Sequence, residues 1–223
     1  MEYKRITNII DPLFKQMHQL MQDVFPPEEV LEFDLWKEPL EDPGIRVFVA
    51  VHEDRVVGAT EYRYYEDFNV AMTDFTIIGQ AGLGIGPYLA QNRLVDLQTL
   101  ATENNKKLSG MFAEIYDPYR VEHHEFGGVK PMNPYVRREV LAHLGYKRLE
   151  FEYIHPSWNN DGEAVTGLDL CFLPMDGEMN ELQSDLIVKF LKRYYTVLSN
   201  KPESWYEMIE NLEEKEKFAL VYF

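Results

Sequence analysis

The run Gly79-Gln80-Ala81-Gly82-Leu83-Gly84-Ile85-Gly86-Pro87-Tyr88-Leu89 separates a strand-like segment from a helix-like one and places four glycines in eight positions. Residues without a Cβ let the backbone come close to a ligand and turn its N–H groups into one concavity, while the helix that follows presents the positive end of its dipole. The loop therefore reads as a pyrophosphate cradle, although glycines also serve tight turns and close helix packing. Two familiar nucleotide loops do not fit. A Walker loop needs Lys and then Ser or Thr behind its last glycine, where here Gly86 is followed by Pro87 and Tyr88. A Rossmann turn stands early in a repeating βαβ unit, and this one follows an antiparallel-looking meander.

That meander begins with a short strand over residues 2–7. Asp11-Pro12 is an N-cap and first-turn pair, and Leu13, Met17, Leu20, Met21 and Val24 recur behind it at helical spacing. Pro26 and Pro27 stop the helix, and Glu28 to Trp36 is open to a second one before Pro39, Pro43 and Gly44 break the chain. Ile45 to His52 and Arg55 to Tyr65 make a tight hairpin across Glu53 and Asp54, and Val70 to Ile78 leads into the glycines. Beyond them Leu89, Leu94, Leu97 and Leu100 mark an amphipathic helix to about Glu103. Leu108 to Tyr116 is a strand, Asp117 to Met132 a long polar connection, and Asn133 to Leu144 a helix closed by Gly145 as a left-handed cap. Tyr146 to His155 and Val165 to Leu173 are two further strands. From Asp176 on, two helices are predicted, about Asn180 to Leu198 and Pro202 to Glu216, so the chain divides into an α/β domain over 1–175 and a helical extension over 176–223.

Gly82-Leu83-Gly84-Ile85-Gly86 followed by Leu89, and Leu144-Gly145-Tyr146-Lys147 closing the later helix, stand in the order found in one large family. Over residues 2–173 the chain resembles the GNAT N-acetyltransferase superfamily. The resemblance implies an α/β GNAT fold, with a mixed, mostly antiparallel central sheet, splayed parallel strands and flanking helices. It implies acetyl-CoA, or another acyl-CoA, as co-substrate: Gly82, Leu83, Gly84, Ile85, Gly86 and Pro87 would hold the pyrophosphate. Backbone groups of Asp74, Phe75 and Thr76 would hold the pantetheine arm between the strands at 70–78 and 108–116. Direct acyl transfer to an amine, without a covalent enzyme intermediate, is the implied reaction. Two positions depart from the family pattern. Ala81 stands where Arg or Gln is usual, with Gln80 one place off, and Leu141 stands where the common general-acid Tyr is found. These departures motivate an alternative, a weakly active or inactive CoA-binding regulatory protein with the same fold.

An amine is protonated near neutral pH and must lose a proton before it attacks, so a carboxylate or His is the expected base. Glu114 is the first candidate and Glu61 the second, against the commoner reading of a strand Glu as a solvent-facing charge. Tyr116 and Tyr135 are candidate acids, although tyrosines at strand ends more often pack with one edge exposed. His123 and His124, between Glu122 and Glu125, invite a metal, but adjacent ligands aim poorly at one ion, and no metal is expected. Cys171 is the single cysteine, which excludes an intrachain disulfide framework, and its apolar setting LDLCFL reads as core.

A formal net charge of -16 repels phosphate backbones and anionic lipid, so neither nucleic acid nor a membrane surface is an expected partner. The same field draws cations, consistent with a small-molecule or peptide amine as acceptor. No stretch approaches the roughly 20 apolar residues of a membrane span, and the N-terminal residues lack a signal peptide's apolar run, so a cytoplasmic location is expected. In the extension, Tyr194, Tyr195, Trp205 and Phe223 carry enough apolar area to cap the acceptor side, form a homodimer or cover an apolar face.

Overall fold

The computed structural model describes residues 1–25, 30–120 and 134–223, which form two compact units, one within Met1–Leu108 and the other from Ser109 onward. In the first, β1 (Glu2–Ile6) precedes α1 (Pro12–Val24) and α2 (Lys37–Glu41), and the chain then runs through β2 (Ile45–His52), β3 (Arg55–Tyr65) and β4 (Val70–Ile78) to α3 (Ile85–Glu103). The four strands pair antiparallel in chain order. Glu53 and Asp54 join β2 to β3 at φ of 49° and 61°, the two left-handed residues that a hairpin with right-handed twist requires.

Helix α1 is capped as expected: the Asp11 carboxylate accepts from Leu13 N–H at 2.8 Å. Its inward face is Phe14, Met17 and Met21, packed on Val47, Val49, Val51, Ala59 and Ile77, while Leu13, Leu20 and Val24 lie at the margin of that cluster. The helix expected to resume toward Trp36 is instead a 3-10 turn over Phe33–Trp36 leading into α2. Pro39 is tolerated there because it falls in the first turn, where its missing N–H has no intrahelical partner anyway. Pro26, Pro27 and Glu28 lie outside the described residues. On the opposite sheet face α3 sets Ile85 and Leu89 against Ala50 and Val57.

The β3–β4 ladder contains one irregularity. Its register passes from Glu61 opposite Phe75 to Tyr62 opposite Thr73, so Asp74 is an extra residue without a counterpart on β3, a β-bulge.

The second unit contains β5 (Gly110–Tyr116), α4 (Pro134–His143), β6 (Lys147–Leu149), β7 (His155–Pro156), β8 (Ala164–Val165), β9 (Leu168–Pro174), β10 (Glu181–Gln183), α5 (Ser184–Tyr194), α6 (Glu203–Glu213) and β11 (Lys217–Val221). The order across its sheet is β5, β9, β6, β11, β10, every pairing antiparallel, and β7 pairs with β8 separately. Phe112 faces Phe172 across β5–β9 and stacks on Phe190 of α5 at 4.0 Å, which identifies the face that α5 covers. Cys171 is fully buried core, as its apolar setting predicts. Gly145 takes φ of 93°, and Tyr146 N–H returns to the Leu141 carbonyl at 3.0 Å, closing α4 as the left-handed cap anticipated.

Two expectations are corrected. A strand over Tyr146 to His155 ends at Leu149, because Phe151 N–H turns back to the Leu149 carbonyl at 3.0 Å and takes the chain out of the ladder. The segment 176–223, expected as a helical extension of a complete domain, also supplies two strands: β11 pairs with β6, and β10 pairs with β11. The amphipathic helices there dominate the sequence pattern, and three- to five-residue strands beside them are too short to show a period of two. Tyr195 and Trp205 are buried, so this segment covers an apolar face within the second unit. Among the described residues no helix is long and apolar enough to cross a membrane.

Candidate functional site

The glycine loop joins β4 to α3, and its four glycines answer two different demands. Gly82 and Gly84 take φ of 84° and 66°, and a Cβ built on either meets nothing within 4 Å. Their need is conformational, and the space beside them is open. Gly79 and Gly86 are packing glycines: a Cβ would stand 2.8 Å from Leu20 Cδ1 at the first and 3.1 Å from Ile78 Cδ1 at the second. Ile85 is buried and Leu83 packs at the edge of the same cluster, so side chains anchor the loop from below while its backbone faces outward. The N–H groups of Gly82 to Gly86 meet no acceptor among the described residues, the first intrahelical bond being Tyr88 N–H to the Gly84 carbonyl at 3.1 Å. Pro87 has no N–H to leave unpaired. Unpaired donors, a helix N-terminus and open space above two glycines fit an anionic oxygen cluster. Asp74, Phe75 and Thr76 lie at the β4 bulge in the strand that leads into this loop.

Glu61 stands on β3 opposite Phe75 and is half-buried. Burial, reinforced by the neighbouring Asp74 carboxylate and only partly offset by Arg63, pushes its carboxyl up to about 8. A group poised there exchanges protons near neutral pH.

Glu114 has the opposite character. It lies on β5 opposite Leu170, on the face covered by α5, and its side chain is 15% exposed. One oxygen, Oε1, accepts from the Tyr153 hydroxyl, from the Tyr195 hydroxyl at 2.8 Å and from His155 Nδ1 at 3.2 Å. His155 Nδ1 also lies 2.7 Å from the Tyr195 hydroxyl. With both tyrosine hydrogens on Oε1 and the Nδ1 hydrogen shared between Oε1 and the Tyr195 oxygen, every donor is satisfied. Oε2 has no partner among the described residues. Burial raises the Glu114 carboxyl, but the His155 ring and the hydrogen bonds from His155, Tyr153 and Tyr195 outweigh it and hold the group below the ordinary glutamate value. It is an anchored carboxylate with one oxygen tied down and the other uncommitted.

Sequence reasoning named Glu114 and Glu61 but missed Tyr153, His155 and Tyr195. Their separations from Glu114, 39, 41 and 81 residues, leave no local pattern to read. Tyr135 is half exposed on α4, packed edge-on to Tyr119, with its hydroxyl 3.5 Å from the Pro118 carbonyl. His123 and His124 lie outside the described residues. Among the described residues no group of three or more His, Cys, Asp or Glu is gathered to hold a metal ion.

Comparison with known proteins adds the fold family. No family model matches the chain, and no curated protein matches it. Solved structures do. A protein of Bacteroides thetaiotaomicron assigned to the GNAT acetyltransferase family is similar over 90% of this chain and 98% of its own, with a TM-score of 0.58 and 16% identity. A spermidine N-acetyltransferase chimera from Vibrio cholerae and hSSAT is similar over 78% and 96%, with a TM-score of 0.52 and 16% identity. The ribosomal-protein-S18-alanine N-acetyltransferase of Escherichia coli is similar over 78% and 94%, with a TM-score of 0.50 and 8% identity. The mixed, mostly antiparallel α/β architecture implied by the family resemblance is thus the one found, and the chain has the fold of the GNAT acetyltransferases.

Proposed function

We propose that the protein is an acyl-CoA-dependent N-acyltransferase, acetyl-CoA being the simplest donor, that acylates a primary amine on a small molecule or peptide. The observation that carries this reading is the glycine loop: unpaired N–H groups at Gly82 to Gly86, open space above Gly82 and Gly84, and a helix N-terminus behind them, on a GNAT fold. In this reading Gly82 to Pro87 bind the CoA pyrophosphate, and the backbone at Asp74, Phe75 and Thr76 binds the pantetheine arm. The amine nitrogen attacks the thioester carbonyl, the N–C bond forms, the C–S bond breaks, and the sulfur leaves as thiolate. The proton lost by the ammonium goes to a carboxylate, and the thiolate is protonated from water or a nearby acid, with Tyr135 as the candidate.

Two carboxylates compete for the role of base, and the pH profile separates them. If Glu61 accepts the proton, kcat/KM rises with pH up to about 8 and then levels. If Glu114 does, its lowered value predicts a profile already level above pH 4.5. The first test is calorimetric titration with CoA and acetyl-CoA, with Gly84→Glu alongside, since that variant forces a side chain into the left-handed region and adds a negative charge to the cradle. Micromolar-range binding that the variant loses supports the assignment; absence of binding by the unaltered protein removes it.

The second reading, a CoA-binding regulatory protein without turnover, is favoured by Leu141 at the position of the family's usual acid. Binding of acetyl-CoA with no thiol release across a panel of amines would select it.

A further inference from the structure

Arg93 is 3% exposed on α3 and has no carboxylate within ion-pair reach among the described residues. The acid nearest it in sequence, Asp96, is taken by Arg46 and by the Tyr62 hydroxyl at 2.6 Å. Arg93 Nε is buried without a partner. Its Nη1 lies within hydrogen-bond distance of three threonine hydroxyls, Thr60 at 3.0 Å, Thr73 at 2.9 Å and Thr76 at 2.8 Å, and shares its two hydrogens among them. A buried cation with no fixed counter-charge is costly, and an apolar side chain would fill the same volume without that cost.

The placement of the three hydroxyls says what the cation does. Thr60 lies opposite Thr76 and Tyr62 opposite Thr73, so Thr73 and Thr76 face α3 together although they are three positions apart. In a regular strand residues two apart share a face, and the extra residue, Asp74, is what brings these two into line. One guanidinium nitrogen therefore spans the bulge and can hold both threonines only while the bulge exists. The hydroxyl hydrogens are unequally committed. Thr60 donates to the Phe75 carbonyl at 3.0 Å and Thr73 to the Glu61 carbonyl at 3.4 Å, whereas Thr76 has only a 3.3 Å contact with Thr60 and belongs to an exposed residue. Accepting from a cation makes a hydroxyl a stronger donor.

We propose that Arg93 is a positioning residue that locks the β4 bulge and presents the Thr76 hydroxyl as a strengthened donor to a carbonyl oxygen of the acyl-pantetheine chain. The second half rests on the acyl-CoA reading above; the first does not.

The test has two arms. In ligand-free protein, Arg93→Met should speed amide exchange across residues 73–77 by about tenfold, the factor expected for one charged hydrogen bond, while β1 and β2 keep their rates. Thr73→Val makes the same measurement if Arg93→Met does not fold. Unchanged exchange in the variant that folds overturns the lock. In the second arm acetyl-CoA is titrated into Thr76→Val and Thr76→Ser. The valine variant should bind about tenfold more weakly while remaining folded at the assay temperature, and the serine variant within about twofold of the unaltered protein. Equal binding by the valine variant overturns the donor role. If the unaltered protein binds no acetyl-CoA, the acyl-CoA reading fails and the donor role with it, while the exchange arm still decides the lock.

Discussion

The first unit buries a cation, Arg93, and the second an anion, Glu114, and among the described residues neither meets a permanently charged partner. Both are satisfied largely through hydroxyl groups. Three threonine oxygens accept from Arg93, and two tyrosine hydroxyls donate to Glu114 with help from His155. A hydroxyl can serve either sign because it carries both a donor and acceptor lone pairs. The difference lies in reach. The threonines sit on two adjacent strands and control one local irregularity, whereas the groups on Glu114 come from chain segments up to 81 residues away. A buried charge can therefore hold a local distortion or tie distant segments together, and the consequences of removing it should differ accordingly.

Deleting the anion should have the larger effect. Glu114→Ala leaves Tyr153, Tyr195 and His155 without their common acceptor and should cost about 3 kcal/mol in chemical denaturation of the second unit. A loss under about 1 kcal/mol would show that these groups find other partners and would dissolve the contrast. Arg93→Met should cost less, about 1–2 kcal/mol, since losing the hydrogen bonds is partly offset by removing a buried unpaired charge. Tyr195→Phe removes one donor of three and should cost about 1 kcal/mol, with Trp158 and Trp205 fluorescence reporting the transition.

The pH dependence sharpens the comparison further. Because the folded Glu114 value is depressed, its stabilisation is complete above the ordinary 4.5 and disappears as pH falls through the lower folded value. Acid titration of Glu114→Gln should lack that component. Glu61 works in the reverse sense. Its raised value penalises the fold progressively as pH climbs from 4.5 to about 8, so Glu61→Gln should gain stability relative to the unaltered protein across that window. Partial exposure of Glu61 moderates the size of this gain. A gain that shrank with rising pH would contradict the assignment.

Much of the first unit was legible in the sequence because its signals are local. The hairpin at Glu53 and Asp54, the cap at Asp11 and the glycine loop between β4 and α3 each depend on residues within a few positions. Glu114 was named from its strand alone, but nothing nearby foretold Tyr153, His155 and Tyr195. Arg93 occupies an ordinary-looking helical position, and its role depends on a bulge that no residue type announces. The strands flanking α5 and α6 escaped because the helical period around them is so much stronger.

The sheet order β6, β11, β10 carries one more consequence. Among the described residues of the second unit β10 has β11 as its only neighbour, although it precedes β11 in the chain by 34 residues at closest approach. It therefore cannot join the sheet before β11 has done so. The stretch from Glu181 to Val221 should consolidate as a single cooperative element, late in refolding because its anchoring pair, Leu149 with Leu220, closes a long loop.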